Sequence, residues 1–156
     1  MAYLCLECYE TYNTPLQNCP KTSCNGYVAE VDDLMLPTIM LLNQKGYCTE
    51  YCCSGHTYDG SCYPYVAFST FLNELLDENE FNELFKDLPE PWCIEDSTYD
   101  MRILRCKIEN ENIIELQKSI CDANLKLLEF VNTLPSLFCD EEEVDDSEIK
   151  VGTIYE

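Results

Sequence analysis

Residues 5–24 of this chain run CLECYETYNTPLQNCPKTSC, with cysteines at positions 5, 8, 19 and 24. Two residues separate the first pair, four separate the second, and ten lie between the pairs. Each short spacing can point two sulfurs at one place, and two such turns complete a tetrahedron of thiolates. Zn²⁺ suits this donor set because thiolates are soft ligands and the ion has no geometric preference of its own. We therefore predict a zinc ribbon whose ligands are Cys5, Cys8, Cys19 and Cys24.

The predicted metal site is closed. Protein sulfurs take all four positions, as in structural zinc sites, whereas catalytic zinc sites keep one position for water or substrate. The alternative is that the four cysteines are small buried side chains. That alternative explains residues 1–30 poorly, because the segment has too few apolar residues for a core of its own. The metal is thus expected to stabilise the fold of the ribbon, and its presence does not indicate what the protein binds.

The cysteine content bears on the cellular compartment. Twelve cysteines in 156 residues would indicate disulfides in a secreted protein. However, residues 1–8 carry neither a positive region nor an apolar signal core. No uninterrupted apolar run approaches the ~20 residues needed to span a bilayer. We therefore expect reduced thiols, a cytoplasmic location and no membrane association.

The charge balance is strongly acidic. Thirty acidic residues against nine basic ones give a formal net charge of -21. Nucleic acids and anionic membranes both attract cationic surfaces, so we expect direct binding to neither. Solubility is the simplest role of such a charge. The more specific alternative is a protein partner with a basic surface, which the acidic surface would meet in place of nucleic acid.

Periodicity and turn residues divide the rest of the chain into helices and strands. A helix is predicted to start at Asp32 or Asp33 and to stop at Gly46, and a long amphipathic helix to run from Ile113 to Pro135. An acidic helical stretch over 71–85 is expected to break near 77–79. Alternating patterns predict strands over 47–53, 63–69 and 101–108.

This order of elements predicts an α/β or α+β fold. In it, an N-terminal four-cysteine zinc ribbon joins a small mixed sheet packed with a long C-terminal amphipathic helix. The predicted boundaries are 1–30 for the ribbon, 31–139 for the α/β domain and 140–156 for an acidic tail. Strand order does not follow from the pattern.

A second group of chemically capable residues comprises Cys52, Cys53, His56 and Cys62, and His56 is the only histidine of the chain. Three interpretations stay open: cysteines of a buried strand that ends in a Ser-Gly turn, a second metal site, and a cysteine nucleophile activated by His56. Adjacent strand residues point to opposite faces. Cys52 and Cys53 are therefore not both expected in one metal site.

Residues 42–56, LNQKGYCTEYCCSGH, carry a family resemblance. They resemble an uncharacterised zinc-ribbon family of low-GC Gram-positive bacteria and their phages, with the motif LNxKGYxTxxCCSGH. The resemblance runs from the ribbon to about Phe68 and implies a fold, not an activity. The turn over 52–56 has a weak similarity to the wybutosine-synthesis methyltransferase family, in which a Ser-Cys-Ser-Gly-Arg turn follows a strand. His56 stands where that family has arginine.

These observations favour a zinc-stabilised binding or regulatory protein that engages a protein partner. The chain has no Gly-x-Gly-x-x-Gly or Walker-type loop for a nucleotide. By analogy, a phage-type protein of this kind would act as a modulator or inhibitor of a host protein. The alternative is an enzyme that uses the turn at 52–56, in the manner of a methyltransferase.

Overall fold

A computed structural model describes residues 1–57, 61–95 and 100–138. The predicted acidic tail, 140–156, lies outside these residues. Within the described ranges the chain forms nine short strands and four helices, and all strand pairs are antiparallel. The predicted fold class is confirmed in its α+β form, and the expected mixed sheet is an antiparallel one.

The N-terminal sheet contains β1 (Ala2–Cys5) between β2 (Thr11–Tyr12) and β3 (Val28–Val31). Leu4 of β1 and Val31 of β3 are buried in the main hydrophobic core of the protein. Next to them, Cys5, Cys19 and Val28 form a smaller buried cluster of the ribbon itself. The ribbon is therefore packed directly on the rest of the fold through one face of its sheet.

The main sheet is four-stranded, and its order differs from the order along the chain. It contains β4 (Thr49–Cys53), β6 (Tyr65–Phe68), β8 (Ile103–Cys106) and β7 (Trp92–Glu95), in the order β4-β6-β8-β7. A separate pair joins β5 (Ser61–Cys62) to β9 (Ile108–Glu109). The predicted strand over 101–108 is thus two strands, β8 and β9, in different sheets.

The helices are α1 (Leu36–Gln44), α2 (Leu72–Leu75), α3 (Glu78–Leu84) and α4 (Ile113–Thr133). The predicted break near 77–79 is confirmed, because Asp77 caps α3 in a capping box with Glu80. The predicted start of α1 is a few residues early. The Met35 amide donates to the Asp32 carbonyl at 2.9 Å, so a turn precedes the helix and Asp32 is not its cap.

Helix α4 covers the core as its periodicity predicted. Its Asn112 Oδ1 cap accepts hydrogen bonds from the amides of Ile114 and Glu115. Six α4 side chains are buried: Leu116, Ile120, Ala123, Asn124, Leu127 and Val131. None of the helices in the described ranges is long and apolar enough to cross a membrane.

Candidate metal centre and acidic groove

The four predicted zinc ligands lie together in the structure. One sulfur from each of Cys5, Cys8, Cys19 and Cys24 lies within 4.8 Å of the others. The Cys5 and Cys24 sulfurs are 3.5 Å apart, and those of Cys8 and Cys19 are 3.8 Å apart. Tetrahedral Zn–S bonds of about 2.3 Å place two sulfurs about 3.8 Å apart. The group could therefore hold a metal ion with little rearrangement.

Two tight turns bring these sulfurs together. In the first, the Tyr9 amide donates to the Cys5 carbonyl at 3.0 Å, and Tyr9 has a φ of 64°. In the second, the Cys24 amide donates to the Lys21 carbonyl at 3.1 Å, and Asn25 has a φ of 60°. Residues in the left-handed region reverse the chain at once. Each cysteine pair therefore faces the same point from its own turn.

Tyr12 supports the cysteine group, and no sequence motif identifies this residue. Its hydroxyl lies 3.0 Å from the Cys19 sulfur. That hydrogen bond lowers the pKa of Cys19 to about 7, and the pKa of Tyr12 itself is raised by the same contact. Thiolates are the form that binds metal. Tyr12 thus favours the metal-binding form of one of the four cysteines.

The second group predicted from sequence is brought together only in part. Cys53 and His56 lie with Asp32, and one donor atom from each is within 4.8 Å of the others. Among the described residues, Cys52 and Cys62 do not belong to this group. The Cys62 sulfur instead packs against Gly55, 2.2 Å from where a Cβ on that glycine would lie. From the sequence, Asp32 is predicted only as a possible helix start, because no local pattern connects it with Cys53.

Three contacts hold the turn that carries Cys53 and His56. Asp32 Oδ2 accepts hydrogen bonds from the Ser54 amide at 2.8 Å and from the Ser54 hydroxyl at 3.1 Å. The Asn124 amide group donates to the Ser54 carbonyl at 3.0 Å, which links the turn to α4. Gly55 has a φ of 104°, a conformation that few other residues adopt. The position of the turn is therefore determined by β3, α4 and its own backbone.

The thiols of the turn are protonated near neutral pH. Burial, followed by the nearby Asp32 carboxylate, raises the pKa of Cys52 to about 11. Burial is also the main cause that raises the pKa of Cys53, with contributions from the charge of Asp32 and a hydrogen bond to it. Cysteine nucleophiles react as thiolates. These surroundings are the reverse of those that activate a cysteine nucleophile.

A groove of about 450 Å³ lies between the ribbon and the main sheet. Its lining includes residues 29–31 of β3 and 49–52 of β4, and each strand lies at the edge of its sheet. Tyr27 and Tyr51 line it with 62% and 58% of their surface exposed. Its charged lining residues are both acidic, Glu30 and Glu50. The groove therefore combines exposed rings, negative charge and strand edges.

No family model, curated protein or solved structure matches this chain. The family resemblances of residues 42–56 stay predictions.

Proposed function

We propose that this protein is a zinc-stabilised binding protein, which engages a basic segment of a protein partner in the groove between β3 and β4. The observation that carries the proposal is the lining of that groove. Two exposed tyrosines and two glutamates face it, and none of the described residues that line it is a lysine or arginine. This lining suits a cationic side chain better than an anionic or apolar one.

Tyrosine rings attract cations through the negative charge on their faces, and arginine is the commonest partner. Tyr65, which also lines the groove, already has such a contact within the chain. The Arg105 guanidinium carbon lies 4.9 Å from the centre of the Tyr65 ring. Tyr27 and Tyr51 would offer the same contact to an arginine of the partner, with Glu30 and Glu50 supplying the opposite charge.

The strand edges favour an extended partner segment. Edge strands present unpaired backbone amides and carbonyls, which can pair with an added strand. Peptides that bind in this way gain affinity from the backbone and specificity from alternate side chains. An extended segment with arginine or lysine at alternate positions would place its cations towards the tyrosines and glutamates.

Zinc has a structural part in this proposal. The four cysteines have the composition of a closed site, in which thiolates take every position. Zn²⁺ at this site would hold the turn before β3 and so fix one wall of the groove. Reduced thiols and zinc both agree with a cytoplasmic protein.

The net charge of -21 supports the same type of partner. A field of one sign steers an oppositely charged partner towards the surface and increases its association rate. A protein that occupies the basic surface of its partner would compete with nucleic acid for that surface. Such competition is one way in which it could act as a modulator or inhibitor of a host protein.

The test uses a synthetic peptide of alternating arginine and threonine, titrated into the zinc-loaded protein and followed by amide chemical shifts. We expect shifts in residues 27–31 and 49–52, and an affinity that falls steeply with salt because exposed charges are screened. The double variant Glu30→Gln/Glu50→Gln should weaken binding by roughly tenfold or more, since a charged hydrogen bond contributes about 1.5–3 kcal/mol.

Two control variants distinguish binding in the groove from a general effect of negative charge. Glu111→Gln/Glu129→Gln removes the same charge at exposed positions outside the groove lining. Tyr63→Ala removes an exposed tyrosine that does not line the groove, for comparison with Tyr51→Ala. Equal losses in the control and groove variants would disprove the groove as the binding site and leave only a charge effect.

The alternative function is an enzyme that uses the turn at 52–56. It is favoured by the closeness of Cys53 and His56, which supply a nucleophile and a base, and of Asp32. It is opposed by the raised pKa of the Cys53 thiol. If Cys53 is activated, iodoacetamide should alkylate it faster in the wild type than in His56→Ala at neutral pH. Equal rates would remove this alternative.

A further inference from the structure

We propose that Asp32, Cys53 and His56 form a second metal site, separate from the ribbon, which binds a divalent ion of the Zn²⁺ class and leaves one coordination position open. Asp32 directly follows β3, Cys53 is the last residue of β4, and His56 lies in the turn that follows β4. One carboxylate oxygen, one sulfur and one imidazole nitrogen lie within 4.8 Å of one another. This proposed metal site is independent of the binding function proposed above.

The donor set indicates the class of metal. A carboxylate, a thiolate and an imidazole together are typical of zinc, whereas Ca²⁺ and Mg²⁺ prefer oxygen ligands only. Zinc bonds of about 2.0–2.3 Å place tetrahedral ligands about 3.3–3.8 Å apart. The three donor atoms lie within 4.8 Å of one another, so each pair is at most about 1.5 Å farther apart than in a zinc-bound site.

The backbone around the three ligands is already held in place. The Ser54 amide and hydroxyl both donate to Asp32 Oδ2, at 2.8 and 3.1 Å, which orients the carboxylate. Hydrogen bonds of this kind to a ligand fix its orientation and increase metal affinity. The Asn124 side-chain amide of α4 donates to the Ser54 carbonyl at 3.0 Å. The folded chain therefore already holds the backbone around the three ligands in the arrangement that metal binding would need.

The proposed site differs from the ribbon in being open. The ribbon has four protein ligands, whereas this group has three, which is the number found in catalytic zinc sites. His56 and Gly55 also line a cavity of about 380 Å³, together with Gln117 and Cys121 of α4. Of the three proposed ligands, His56 lines this cavity, so a water molecule or a small anionic or thiol ligand would approach the metal from the side of His56.

The experiment measures metal in the full chain after the ribbon has been filled with one equivalent of Zn²⁺. Co²⁺ is then titrated in the presence of excess Mg²⁺, which occupies sites made of oxygen ligands only. We expect one further equivalent of Co²⁺ to bind and to give a thiolate-to-cobalt charge-transfer band. Cys53→Ser should abolish that band, and His56→Gln should weaken Co²⁺ binding by more than about 100-fold. Loss of a hydrogen bond that only supports a metal ligand typically lowers metal affinity 10–100-fold.

Matched neighbours serve as controls. Cys52→Ser and Asp33→Asn change the adjacent residues of the same types and are expected to keep the band and the affinity. His56 is exposed and its substitution does not disturb the core, so its variant tests the site without a change of fold, which circular dichroism would verify. The proposal is overturned if the wild type shows no band, if the band survives in Cys53→Ser, or if Cys52→Ser abolishes it equally.

Discussion

The Lys45 ammonium group donates a hydrogen bond to the Val131 carbonyl at 2.9 Å. It also donates to the carbonyls of Asn132 and Leu134, at 3.0 and 2.5 Å. These carbonyls lie at the C-terminal end of α4, where the helix dipole favours a cation; the Val131 carbonyl also accepts a hydrogen bond from the Leu134 amide at 3.1 Å. The lysine of the LNxKGY segment therefore joins the end of α1 to the end of α4.

Replacement of Lys45 is expected to destabilise the protein. Lys45→Met keeps most of the aliphatic stem and removes all three hydrogen bonds, so the free energy of unfolding should fall by about 1.5–3 kcal/mol. Urea unfolding measures this change. Lys126→Met is the control, because Lys126 forms an exposed ion pair with Asp122 at 3.1 Å, and its loss should cost less than about 0.5 kcal/mol. Equal effects would contradict the assigned role of Lys45.

Metal removal is expected to unfold the ribbon. Elemental analysis should find metal in the native protein, and Cys5→Ser/Cys8→Ser should lose one equivalent relative to it. A strong chelator should then expose the four ribbon thiols to alkylation, because a structural zinc site contributes folding free energy directly. Cys106, which is fully buried in the main core, serves as an internal control and should stay unmodified. Ribbon thiols that react equally fast before chelation would exclude a metal site.

Gly55 is expected to tolerate no side chain. Its φ of 104° strains any other residue, and a Cβ would lie 2.2 Å from the Cys62 sulfur. Gly55→Ala should therefore cost about 2–5 kcal/mol, from backbone strain and overpacking together. In Gly55→Ala/Cys62→Ala the clash with the Cys62 sulfur is removed, whereas the backbone strain and a 3.0 Å approach to Pro64 remain, so the double variant should lose less stability than the sum of the two single losses. Strict additivity in urea unfolding would refute the steric contact.

Stability is expected to fall in alkaline solution because of buried thiols. Burial raises the pKa of Cys106 from 9.0 to about 12. Between these values the unfolded chain loses the Cys106 proton and the folded chain keeps it, so the free energy of unfolding decreases as pH rises. Each pH unit costs at most about 1.4 kcal/mol for one group. Cys106→Val should flatten the decrease between pH ~9 and ~11, whereas Cys121→Ser, at an exposed position, should not.

The parts of the fold predicted correctly from sequence are those with local signals. The paired cysteine spacings predicted the group of four sulfurs, and the spacing of apolar residues predicted α4. The predicted break near 77–79 coincides with Asp77, the residue that caps α3. The short strands β5 and β7 were missed, because β5 has only two residues and the burial of β7 does not alternate along the strand. Their pairing partners, β9 and β8, lie further along the chain.

The candidate sites divide in the same way. The ribbon ligands could be read from the sequence, because two tight turns place neighbouring cysteines together whatever the rest of the chain does. The group of Asp32, Cys53 and His56 depends on β3 and β4 ending side by side, and the groove depends on which strands form the sheet edges. The sequence by itself determined a fold of mixed helices and strands, the four clustered cysteines and the acidity, and it left α/β and α+β as alternatives between which the antiparallel sheets decided. Only the tertiary structure decided which distant residues meet. Their positions depend on long-range strand pairing and core packing, which the local periodicity of the sequence does not specify.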